Sequence, residues 1–93
     1  GNTRIYHIEF DNTVNSAVTY LKIYESGSVT LGTTQPSLIV KAAASTKEYL
    51  SIPTGLTNLN AMQYIATTTA SNSAGSPAAP STACGLTILH VPY

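Results

Sequence analysis

Charge is what this sequence has least of. Asp, Glu, Lys and Arg make up 9% of its 93 residues, against roughly 25% in an ordinary soluble domain. Four bases (Arg4, Lys22, Lys41, Lys47) balance four acids (Glu9, Asp11, Glu25, Glu48), so the formal net charge is zero. The bases are scattered and form no run, which argues against the clustered Lys/Arg surface that binding to nucleic acid requires. No apolar stretch approaches the ~18 residues of a membrane-spanning helix. Nor does any segment combine the positive start, apolar run and small-residue cleavage site of a secretory signal. Cys84 is the only cysteine, so no disulfide can form within the chain. The sequence opens on Gly1 rather than methionine, compatible with processing, an expression scar or excision from a longer chain.

What is present argues for a folded domain. Hydrophobic residues reach 43% and there are six tyrosines, too much apolar surface for a disordered Ser/Thr-rich chain. The length suits one domain, residues 1–93, with a thin core. Small domains of this kind gain stability from disulfides, metals or neighbouring subunits. With no disulfide available, self-association is the expected route, since few charges hold copies apart. A polar but uncharged Ser/Thr/Asn/Gln surface suits virion parts, extracellular filaments and secreted binding modules.

Strand signals recur along the chain with turn signals between them. Arg4 to Phe10 alternates, with Tyr6, Ile8 and Phe10 on one face and His7 and Glu9 on the other. Asp11-Asn12-Thr13 reads as a turn. Ala17 to Glu25 is the strongest strand. Its Leu21 and Ile23 point inward, because Lys22 suits a core badly, leaving Tyr20, Lys22 and Tyr24 on an outer aromatic face. A short strand is expected at Ser28 to Leu31, then a loop at Gly32 to Pro36, then strands at Ser37 to Ala42 and Lys47 to Ile52. Pro53-Thr54-Gly55 reads as a turn. In Ala61 to Thr69, Tyr64 and three consecutive threonines favour strand over helix. Ser71 to Ser81 is a loop rich in Ala, Ser, Gly and Pro, and Cys84 to Val91 is the last strand. About seven short, regularly spaced strands predict an all-β fold, a small antiparallel β-sandwich of immunoglobulin-like or jelly-roll-like type. Greek-key connections would put the last strand in the middle of a sheet. Its Leu86, Ile88, Cys84 and His90 would then face the core, and Leu89 and Val91 a neighbouring subunit or the capsid.

Asn12-Thr13-Val14-Asn15, Tyr20-Leu21-Lys22-Ile23-Tyr24, Gly32-Thr33-Thr34-Gln35-Pro36, Ile52-Pro53-Thr54-Gly55, and Thr67-Thr68-Thr69-Ala70 followed by Pro80-Ser81 occur in an order that resembles small virion modules of tailed phages, especially those of marine and cyanobacterial hosts. The resemblance spans roughly Asn12 to Val91. It implies a β-sandwich displayed on the particle surface as a capsid decoration, knob or fibre domain, assembled as a homo-oligomer, with a trimer favoured, against major capsid or other virion proteins. The Ser71 to Ser81 loop is richer in alanine and proline than that pattern and leaves loop-borne specificity open. None of these motifs is a catalytic signature.

The chemistry available is sparse. His7 and Glu9 on one strand face, with His90 on the last strand, form the best 2-His-1-carboxylate candidate for a divalent metal; solvated or interfacial polar residues are the plainer reading. No Gly-x-Ser-x-Gly elbow occurs, and Asp11 is the only aspartate. Cys84 reads as a small buried hydrophobe. No cofactor and no enzymatic activity are expected. The tyrosines offer more: Tyr20 and Tyr24 with Leu89 and Val91 are the candidate interface residues, since tyrosine is enriched where half-buried surfaces meet. The same aromatic rings could stack on sugars, so a carbohydrate- or receptor-binding module of an extracellular or fibre protein, engaging a host-surface glycan, stands as the alternative.

Overall fold

A computed structural model describes residues 3–58, 61–72, 75 and 77–92. Its strands are β1 (Thr3–Asp11), β2 (Thr19–Tyr24), β3 (Leu38–Ala42), β4 (Lys47–Asn58), β5 (Gln63–Thr67) and β6 (Gly85–Pro92). They form two three-stranded antiparallel sheets, ordered β4-β1-β6 and β3-β2-β5. The sheets face each other across Ile5, Ile8, Phe10, Leu21, Ile23, Val40 and Ala42. This is a small all-β sandwich. The ambiguous segment before Thr69 is strand, as Tyr64 and its threonines predict.

Alternation in β1 breaks at Tyr6. The residue pairs Ile5 with His90 but His7 with Leu89, so Tyr6 is an extra residue opposite β6, which is a β-bulge. The bulge resets the parity: Ile5, Ile8 and Phe10 form the buried set, and Tyr6 leaves the face expected for it. Opposite β4 the mismatch is larger, since Ile5 pairs with Leu56 and His7 with Ser51. Pro53-Thr54-Gly55 therefore does not reverse the chain as expected; it is an irregularity inside a long edge strand. Proline supplies no N–H for a ladder there, and Gly55 sits at φ +80°. A Cβ on Gly55 would lie 3.1 Å from the Tyr6 ring and 3.2 Å from Arg4 Cβ. Glycine lets the two strands close over that ring.

The strand expected at Ser28 to Leu31 is absent. Thr33 and Thr34 donate their amides to Thr30 O, and Thr34 Oγ1 accepts from Thr30 N. The segment's polar groups thus close on one another, and Gly32 takes a positive φ in that turn. Among the described residues six strands remain where seven are expected.

The outer face of β2 is also different from expectation. Leu21 and Ile23 are buried as predicted, yet Lys22 is 2% exposed and Tyr24 4%. The chain's own loops cover this face. Lys22 Nζ donates to Ser71 O at 2.6 Å, Val29 and Leu31 lie beside Tyr24, and a Cβ on Gly75 would sit 3.7 Å from Leu31 O. Tyr24, one of the candidate interface residues, is therefore covered within the chain itself, and Tyr20 is half-buried.

Finally, β6 is an edge strand and not a central one; β1 holds the middle of its sheet. The face assignment within β6 does hold. Leu86, Ile88 and His90 pair with the inward Phe10, Ile8 and Ile5, while Leu89 and Val91 point out, 57% and 49% exposed.

Candidate functional site

The two edges of the sandwich differ. On one side the short Ala43–Thr46 turn carries the chain from β3 in one sheet to β4 in the other, and Asn12 N donates to Thr46 O at 3.0 Å. On the other side β5 and β6 face each other without pairing. Between them opens an apolar cleft of about 420 Å³, floored by Phe10 and Leu21 and walled by Ile65, Pro80, Cys84 and Leu86.

One end of this cleft is fixed by two buried asparagines. Asn12 Nδ2 donates to Ala17 O and Ala43 O at 3.0 and 3.1 Å. Asn15 Nδ2 donates to Asn12 Oδ1 and to Thr82 O at 3.0 and 2.9 Å, and Asn15 Oδ1 accepts the Thr82 amide at 2.9 Å. Ser45, at φ 56°, donates its amide to Asn15 O at 2.8 Å. The β1–β2 connection, the β3–β4 turn and the approach to β6 are thus tied at one point. Sequence reasoning places Asn12 in a turn, which is right for its backbone but misses its side chain; the later Asn15 is the only hint. Cys84 Sγ lies 3.4 Å from Asn12 Oδ1, to which it donates. Burial pushes its thiol pKa up, an effect the hydrogen bond from Asn15 only partly opposes. A thiol held protonated is a poor nucleophile.

The solvent face of the β4-β1-β6 sheet carries most of the exposed functional groups. Register sets Lys47, Tyr49 and Ser51 of β4 beside Asp11, Glu9 and His7 of β1, with Thr87 and Leu89 of β6 on the far side. Lys47 Nζ is 3.0 Å from Glu9 and 3.9 Å from Asp11. The hydrogen bond to Glu9, together with the charges of Tyr49, Glu9 and Asp11, raises the Lys47 pKa. Asp11 is held below the ordinary carboxylate value by hydrogen bonds from the Thr13 hydroxyl at 2.5 Å and amide at 2.9 Å. The His7 and Tyr49 rings lie 6.1 Å apart at 30°, and His7 Nδ1 is 3.3 Å from Ser51 Oγ.

The metal candidate does not assemble. His7 and Glu9 face solvent, whereas His90 pairs with inward-facing Ile5 on the opposite side of the sheet. Among the described residues no group of three His, Cys, Asp or Glu side chains is placed to hold a metal ion. Of the four candidate interface residues, Leu89 and Val91 are presented to solvent together, and the two tyrosines of β2 are not.

No protein-family model matches this chain, and no curated protein or solved structure matches it at a significant level.

Proposed function

We propose that this chain is a non-enzymatic structural module of a bacteriophage particle, self-associating and displayed on the virion surface as a capsid decoration, knob or fibre domain. The observation that carries the self-association is the exposure of Leu89 and Val91, 57% and 49%, next to each other on the outer face of an edge strand. Two large aliphatic side chains on a strand that has no second strand neighbour among the described residues mark a surface suited to a protein partner. The virion placement is supported by the motif order described above and by a polar surface with few charges. The chemistry fits a structural role: the one thiol is held protonated, and Glu9 and Asp11 are tied to Lys47 and Thr13.

Sedimentation at tens of micromolar should find a stable oligomer, and an antibody against the chain should label the surface of tailed particles from its source. A monomer at that concentration would overturn the association, and unlabelled particles the virion placement.

Tyr49 favours a second reading. It is 57% exposed, lies beside the His7 ring and neighbours the Glu9 carboxylate, an arrangement of aromatic and polar groups that suits a sugar ring. Binding on a glycan array that is lost in Tyr49→Ala would favour a carbohydrate-binding module.

A further inference from the structure

We infer that β6 pairs edge to edge with β6 of a second copy, so that one continuous sheet runs β4-β1-β6-β6-β1-β4 across a twofold axis. The inference rests on the self-associating reading above and names its interface.

Open strand edges invite pairing, and proteins blunt the ones they keep apart with charge, proline, bulges or brevity. Three of the four edges here are blunted. β4 carries Lys47, Glu48, Pro53 and the irregularity at Gly55. β3 is five residues long and carries Lys41, and β5 is also only five residues long. β6 has eight residues and no charged residue, and its one proline, Pro92, stands at its last position, leaving Gly85 to Val91 open. No Asp, Glu, Lys or Arg occurs anywhere after Glu48. Two β6 edges therefore meet without like-charge repulsion.

The twofold axis also matches the faces. Rotation about the sheet normal sets outward residues against outward ones, so in a register centred on Ile88 Thr87 of each copy meets Leu89 of the other, Val91 meets Gly85, and the two Leu89 side chains are diagonal neighbours across the axis. The half-buried Leu86 and Ile88 align on the inner side, where the two apolar clefts come together. At ~3.4 Å per residue such an edge is about 27 Å long. Identical surfaces meeting in this way close as a dimer, in place of the trimer that the phage resemblance implies.

Hydrogen–deuterium exchange on the full chain, read at roughly 1 and 100 μM, tests this directly, because association protects amides by mass action. The β6 amides should be slowed at the higher concentration. Leu89→Lys, which brings like charges together across the axis, should weaken the dimer by at least about tenfold, and Thr87→Lys should do the same if Leu89→Lys fails to fold. A wild-type chain that stays monomeric would overturn the self-associating reading and this inference together. A chain that associates while its β6 exchange is independent of concentration, and whose affinity neither lysine variant changes, would overturn edge pairing alone.

Discussion

Asn15 donates its side-chain amide to the side-chain carbonyl of Asn12 at 3.0 Å, with both residues at most 2% exposed. This contact joins three connections that are far apart in sequence, and every polar atom of the pair has a partner. Truncating either residue leaves buried carbonyls or amides unsatisfied, at a cost of ~1–3 kcal/mol for each such group. Asn12→Ala and Asn15→Ala should each lose roughly 3 kcal/mol of unfolding free energy in urea titrations. Asn12→Asp should be no better, because it turns a carboxylate oxygen toward Ala17 O and Ala43 O. A loss below about 1 kcal/mol would mean that water replaces these bonds readily.

The core should rank its isoleucines by burial. Ile8 is fully buried in the central strand, flanked by Leu50 and Ile88. Ile8→Ala should cost about 3–4 kcal/mol, and Ile88→Ala, half-buried on the edge strand, about 1–2 kcal/mol. Urea midpoints at unchanged slope give the comparison. Equal losses would place β6 deeper in the molecule than its edge position allows.

Local alternation made most of this fold readable. β1, β2, β3 and β6 announce themselves by period, and Tyr64 with Thr67 to Thr69 decides β5. What was not readable depends on partners distant in sequence. The bulge at Tyr6 exists because Gly55 lets that ring sit against β4, and nothing within Arg4 to Phe10 signals it. Lys22 is buried because the carbonyl of Ser71, 49 residues on, accepts its hydrogen bond; a lysine flanked by two tyrosines on one face reads locally as solvent-facing. Ser28 to Leu31 has strand composition, but Thr30 and Thr34 bond each other before any neighbour can pair. Of the candidate site, the outward face of Leu89 and Val91 followed from alternation alone. The edge position that exposes it followed only from topology.

Cys84 should resist alkylation in the folded chain. Burial raises its pKa, and the reactive species is the thiolate. Iodoacetamide at neutral pH should label the native protein at least about tenfold more slowly than the urea-unfolded chain, given both the raised pKa and the reduced access. Comparable rates by mass spectrometry would show that the cleft admits the reagent and that the thiol is not suppressed.

Lys22 sets the pH dependence near the top of the stability range. Burial holds its ammonium below the ordinary lysine value of 10.5, so the folded chain releases this proton at lower pH than the unfolded one. Between those two values the unfolded state binds more protons, and stability rises with pH across the interval, levelling off near 10.5. The other shifted pair acts elsewhere. Asp11, depressed from 3.8, contributes stability above that value and loses it as pH falls through its folded pKa. Lys47, raised from 10.5, contributes below that value and loses it as pH rises through its folded pKa. The window below 10.5 is therefore where the Lys22 effect stands clear of both. Lys22→Met removes the cost of burying a charge, and Ser71, at the surface, can give its carbonyl to water. The variant should gain on the order of 1 kcal/mol at neutral pH and lose the alkaline rise. Urea titrations of both proteins at several pH values check this; a rise that persists in Lys22→Met would assign it to another group.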